Sequence, residues 1–178
     1  MTEDDGNWLA HSILGLAYLF RSGEADAAVE QTACAMQLNP SAALACHCHG
    51  CTLEFKGLMR EAIPHLQAVF RLDPRYRSSA AVLGDLALCY LLLGNDEEAI
   101  DWAGKAVTTH PDYVRGRQRL VAALGVAGRG EEAEKALAEL LKLQPDFSID
   151  YVRSTYPFKN PQHLDILIGG LLAAGLPA

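Results

Sequence analysis

Four prolines, Pro40, Pro74, Pro111 and Pro145, fall at intervals of 34, 37 and 34 residues. Gly23, Gly57, Gly94 and Gly128 each precede one of them by 17 residues, and Ala28, Ala62, Ala99 and Ala133 precede them by 12. Three residue types in one register require a repeated structural unit. Each unit has the same grammar: an apolar segment runs into a glycine, a second segment follows, and a proline ends it. Glycine takes the left-handed conformation that closes a helix. Proline disfavours helix in the residue before it. An alanine early in the second segment lets two helices approach closely. Stacked helical hairpins with a period near 34 satisfy all three.

The units run at about 7–41, 42–75, 79–112 and 113–146, followed by a tail, 147–178, in which the period stops. The 37-residue interval places three extra residues at 75–79, before the third unit. In Gly94-Asn95-Asp96-Glu97-Glu98, Asn95 or Asp96 is expected to cap the second helix, with both glutamates at its positive end. Pro64 interrupts a second-helix segment and is expected in its first turns, where a missing donor costs least.

Composition narrows the function classes. Half of the 178 residues are hydrophobic, so disorder is not expected. A net charge of −7 argues against direct nucleic-acid binding, which needs a basic field. The longest apolar runs, Leu86–Leu93 and Ile166–Leu176, are shorter than the ~20 residues that span a bilayer, so no membrane role is expected. The acidic start, Met-Thr-Glu-Asp-Asp, is unlike a signal peptide. Five cysteines without framework spacing read as reduced thiols, which implies a cytoplasmic location.

The hairpin pattern resembles the tetratricopeptide repeat (TPR) family. Leu14-Gly15…Tyr18 matches its Leu-Gly…Tyr core signature, and Gly50, Tyr90 and the alanine and proline series carry the rest. The pattern departs at the family's early tryptophan, where units two to four have Cys46, Leu83 and Arg117. The resemblance implies an all-α fold: a right-handed superhelical α-solenoid of about four hairpins with C-terminal capping helices. The tail, from Phe147 through Tyr156-Pro-Phe-Lys-Asn-Pro to Asp165 with a helix ending Gly-Leu-Pro, is similar to the C-terminal TPR region of bacterial class III adenylate cyclases or winged-helix transcription regulators. The chain contains neither effector domain, so this implies an excised regulatory domain or a stand-alone relative.

In such arrays the first helix of each unit lines a concave groove. The partner-binding positions expected here are Leu16, Leu19 and Phe20, then His47, Cys51, Glu54 and Phe55, then Leu88, Leu91 and Leu92, and finally Arg115, Gln118 and Arg119. A large exposed apolar concavity needs a cover: a partner helix or peptide, a second copy in a homodimer, or the chain's own helix at 161–174. Ordinary interhelical packing is the alternative for the leucines, and solvated charges the alternative for Arg115 and Arg119. The family's carboxylate clamp is missing, because Ser12, Leu16, Cys48, Ala81 and Asp85 stand at comparable positions.

Cys46-His47-Cys48-His49-Gly50-Cys51 raises a metal-sensor alternative, with His47 and Cys51 sharing a helical face. A closed zinc site needs four converging ligands, usually two separated pairs, and no second pair is spaced for it. Burial of the cysteines as small hydrophobes is the plainer expectation. No phosphate loop, nucleophile elbow or His-Glu-x-x-His helix occurs. Neither catalysis nor a cofactor is expected. The sequence therefore points to a non-catalytic protein-interaction module that regulates a fused or partner effector, or else to a self-association domain.

Overall fold

The computed structural model describes residues 6–177; the acidic stretch 1–5 lies outside them. Among the described residues there are ten α-helices, a short π-helical segment and no strand. They are α1 Trp8–Ala17, α2 Ala25–Leu38, α3 Ala43–Lys56, α4 Met59–Leu72, α5 Ser79–Leu92, α6 Asp96–Thr109, α7 Val114–Val126, α8 Gly130–Leu143, α9 Ile149–Thr155 and α10 Pro161–Ala173. The π-helical turn, Tyr18–Ser22, prolongs α1.

The punctuation acts as its chemistry requires. Gly23, Gly57, Gly94 and Gly128 have φ of 69°, 98°, 74° and 71°, the left-handed region where a Cβ is strained. At Gly57 the left-handed turn brings two successive N–H groups, those of Gly57 and Leu58, onto the Leu53 carbonyl at 3.1 and 2.9 Å, which closes the end of α3. Asn39, Asp73, His110 and Gln144, each before a proline, are driven out of the helical region to ψ of 82°, 93°, 76° and 81°.

Two local expectations need correction. Asn95 is the N-cap of α6 but makes no side-chain cap bond, and Asp96 is already helical. The positive end is instead met by the acidic first turn Asp96-Glu97-Glu98. Pro64 is the sixth residue of α4, beyond the free N–H groups of the first turn, so it removes one bond from the helical ladder.

The chain divides into two compact units. One comprises the chain up to Arg77 together with Pro157–Lys159; the other comprises Ser78–Tyr156 and the chain from Asn160 onward. The boundary falls inside 75–79, where the repeat interval lengthens. In the first unit α1 packs on α2, α2 on α3 and α3 on α4. In the second unit α5 packs on α6, α6 on α7 and α7 on α8, and α10 lies against α7 and touches α5. Ala28, Ala62, Ala99 and Ala133 are all wholly buried. The close approach is visible at Gly15, where a Cβ would fall 2.8 Å from the Ala28 carbonyl oxygen.

Candidate functional site

The expected groove residues occupy three environments. Leu19, Cys51, Glu54, Phe55, Leu88, Leu91, Leu92, Gln118 and Arg119 are buried. Leu16, His47 and Arg115 are half-buried, and Phe20 is 44 % exposed. Much of this face is therefore closed. These helices are apolar on more than one side, and the chain's own tail lies against them.

In the first unit the tail contributes Pro157-Phe158-Lys159, a non-helical segment. The Phe158 ring tilts against Phe55 with centroids 5.1 Å apart, and Phe20 meets the Phe55 ring edge-on at 5.7 Å. The Lys159 N–H donates to the Phe55 carbonyl at 3.0 Å. The Lys159 ammonium donates to the Asp26 carboxylate, which also pairs with Lys56 at 3.1 Å. These two ammonium groups, Lys159 first, hold the Asp26 carboxyl below its ordinary value. Phe20 projects from the π-helical turn.

In the second unit Tyr156 is buried and donates its hydroxyl to Gln118 Oε1 at 2.8 Å, while Gln118 Nε2 donates to Gln144. The Arg115 guanidinium lies 5.2 Å from the centre of the Tyr156 ring. α10 crosses α7 backbone to backbone: a Cβ on Gly125 would sit 1.9 Å from the Gly170 carbonyl oxygen, and one on Gly170 would sit 2.2 Å from that of Ala122.

The solvated-charge alternative fails for Arg119. Its side chain is 1 % exposed and donates to Asp85 Oδ1 at 2.8 Å. Gly84 leaves the room, since a Cβ there would come within 2.5 Å of the guanidinium. Tyr113 lies beside this pair, and burial pushes its hydroxyl pKa up to about 12.

The metal-sensor alternative is corrected by divergence of the side chains. Among the described residues no group of three or more His, Cys, Asp or Glu side chains is placed to hold a metal. His47 Nδ1 is 3.1 Å from the Tyr76 hydroxyl. His49 Nδ1 is 3.0 Å from Thr32 Oγ1, and its ring meets His65 edge-on. Burial lowers the His49 pKa to about 4, with a smaller contribution from His65. Cys46 Sγ approaches the Pro40 carbonyl, and burial pushes its thiol up.

Phe158, Lys159, Tyr156 and Asp26 were not among the expected site residues. The aromatic-proline-aromatic run Tyr156-Pro157-Phe158, at the point where the repeat period stops, was the available signal.

Residues 49–114 match the family model of the tetratricopeptide repeat. No curated protein sequence matches the chain significantly. Among solved structures, MamA superposes with a TM-score of 0.66 at 25 % identity, covering 80 % of this chain and 81 % of that one. TTC0263, a thermophilic TPR protein in Thermus thermophilus, gives 0.70 at 19 % identity, covering 94 % and 90 %. YrrB, described as a TPR protein with an unusual peptide-binding site, gives 0.62 at 16 % identity, covering 97 % and 87 %. The chain has the tetratricopeptide-repeat fold. Among the described residues no helix is long and apolar enough to cross a membrane.

Proposed function

We propose that this protein is a non-catalytic interaction module that holds a helix or an extended peptide of a protein partner on the faces of α1 and α3 in the first unit, or of α5 and α7 in the second. One observation carries this reading: in each unit those faces already accept a peptide segment, and the segment is the chain's own. Phe158 and Lys159 sit on α3 in the first unit, and Tyr156 and α10 sit on α7 in the second. Leu16, Phe20, His47 and Arg115 remain accessible on these faces. Within either unit a partner engages the accessible residues directly and reaches the buried positions by displacing the tail segment that covers them.

Groove substitutions test the reading. Leu88 and Phe55 are unsuitable, because a carboxylate at either wholly buried position would unfold the unit. Leu16→Glu and Phe20→Glu place the charge where water reaches it. Both should fold as the parent does and lose a partner that crosslinks to the parent. Undiminished crosslinking by both would refute the assignment.

The similarity of the tail to regulatory regions of bacterial cyclases and winged-helix regulators supports a further step. The module regulates an effector of that kind, fused or separate, in the bacterial cytoplasm. That step fails if no effector is encoded in frame beside the array and none co-purifies with it.

Self-association is the second reading. It is favoured by Val126, Ile166 and Leu172, which are 39 %, 36 % and 41 % exposed on α7 and α10. Light scattering of the parent and of Ile166→Lys/Leu172→Lys decides it: a monomeric parent at high concentration excludes it.

A further inference from the structure

We propose that the first unit contains a recognition site for an aromatic residue followed by a lysine or arginine in an extended peptide, and that Phe158-Lys159 is its resident occupant. The inference rests on the interaction-module reading above and names the chemistry of the partner.

The site has three parts, each matched to one feature of the segment. Phe55 and Phe20 form an aromatic corner that receives the Phe158 ring, with Phe20 itself largely in solvent. Ring pairs in offset and edge-on geometry attract through their quadrupoles beyond simple area burial, so the corner favours an aromatic guest over an aliphatic one. The Phe55 carbonyl stands at the C-terminal end of α3, where carbonyls run out of helical donors, and accepts the Lys159 N–H. This bond reads backbone and fixes the register, so the residue after the aromatic must itself have an N–H. Asp26 takes the ammonium group. It opens on a depression of about 410 Å³ lined also by Glu24, Glu30 and Lys159 itself; with Lys159 withdrawn, Asp26, Glu24 and Glu30 outweigh the neighbouring Lys56, so the surroundings favour a cation and disfavour an anion.

The resident segment is partly open to solvent. Lys159 is exposed, Phe158 is half-buried, and neither lies in a helix. By contrast, Tyr156 before them is buried. A partner carrying the same pair competes for the site, and its apparent affinity is reduced by the fraction of time the resident occupies it.

The test uses a fluorescein-labelled, end-blocked Tyr-Pro-Phe-Lys-Asn peptide and anisotropy titration against the full chain. Phe158→Ala vacates the aromatic corner and should bind the peptide at least about tenfold more tightly than the parent does. Adding Asp26→Ala, or replacing the peptide's phenylalanine by alanine or its lysine by glutamate, should abolish that gain. Lys159→Glu, an exposed substitution that preserves the packed ring, should give a smaller gain of the same sign and serves if Phe158→Ala fails to fold. Equal binding by the parent and both variants, no binding by either folded variant at millimolar protein, or indifference to the peptide's phenylalanine would overturn the proposal. If the peptide fails while Leu16→Glu and Phe20→Glu still release a captured partner, only the aromatic-basic rule falls and the module reading stands.

Discussion

Gly169 and Gly170 are neighbours in α10, and helix propensity treats them alike: alanine at either should stabilise the helix by about 0.8–1 kcal/mol. The packing treats them oppositely. A Cβ on Gly169 meets nothing within 4 Å, whereas one on Gly170 falls 2.2 Å from the Ala122 carbonyl oxygen and 2.9 Å from its carbon. The obstruction is backbone, so no rotamer change relieves it, and α10 must move off α7. Overpacking of this kind costs about 1–3 kcal/mol, and more where the obstruction cannot yield. Displacing α10 also loosens Leu167, Leu171 and Ala174, which are at most 1 % exposed. Subtracting the propensity gain from the upper part of that range leaves Gly170→Ala destabilised by roughly 1–2 kcal/mol. At about 2–4 °C per kcal/mol for a chain of this size, Gly169→Ala should raise the melting temperature by a few degrees and Gly170→Ala should lower it. Circular dichroism at 222 nm during heating, with urea midpoints as a check, reads both. If the two substitutions shift stability in the same direction, the close α7–α10 crossing is wrong.

Three further outcomes follow from the buried polar groups and the turns. His49 has a folded pKa of about 4 against an ordinary 6.5, so the unfolded chain takes up the proton first. The stability it contributes is present above 6.5 and lost as pH falls towards 4. The full shift is worth at most about 3.4 kcal/mol, and partial exposure of the ring reduces it to roughly 1–2 kcal/mol. Urea midpoints at pH 8 and pH 5 should fall less for His49→Gln than for the parent, and parallel falls would contradict the assignment. Asp85→Ala removes the carboxylate from the buried Arg119 guanidinium and should cost about 3–5 kcal/mol, whereas Asp85→Leu/Arg119→Met should recover most of it. A double variant no better than the single one, measured by urea unfolding, would show that the pair is not the unit that matters. Gly57→Ala forces a Cβ into a φ of 98° and should destabilise the first unit by about 1–2 kcal/mol, read as a lower urea midpoint.

What could be read from the sequence is whatever a short stretch decides for itself. The left-handed turn at Gly94 and the extended Gln144 before Pro145 depend on one or two residues, and the period repeats them often enough to reveal the hairpins. Even the Asp85–Arg119 pair lies one 34-residue period apart, on neighbouring first helices. Its register was therefore visible, although its burial was not. Arg119 looked like a surface charge because nothing local shows that Gly84 makes room for it. For Cys46–Cys51 the converse holds. Helical spacing alone already separates these side chains, so burial of the cysteines was the plainer expectation, but the partners of Cys46, His47 and His49, which are Pro40, Tyr76 and Thr32, were not legible.

By itself, then, the sequence determined the helical hairpins, their glycine turns and proline stops, and the small residues at their crossings, because each is enforced by backbone sterics over a few residues. Only the tertiary structure decided how the tail is used. Phe158 on Phe55, Lys159 on Asp26, Tyr156 on Gln118 and Gly170 on Ala122 join residues 38 to 133 positions apart. No propensity or period encodes such a meeting. It depends on which apolar faces the packed helices leave to be covered, and that is settled once the helices have packed.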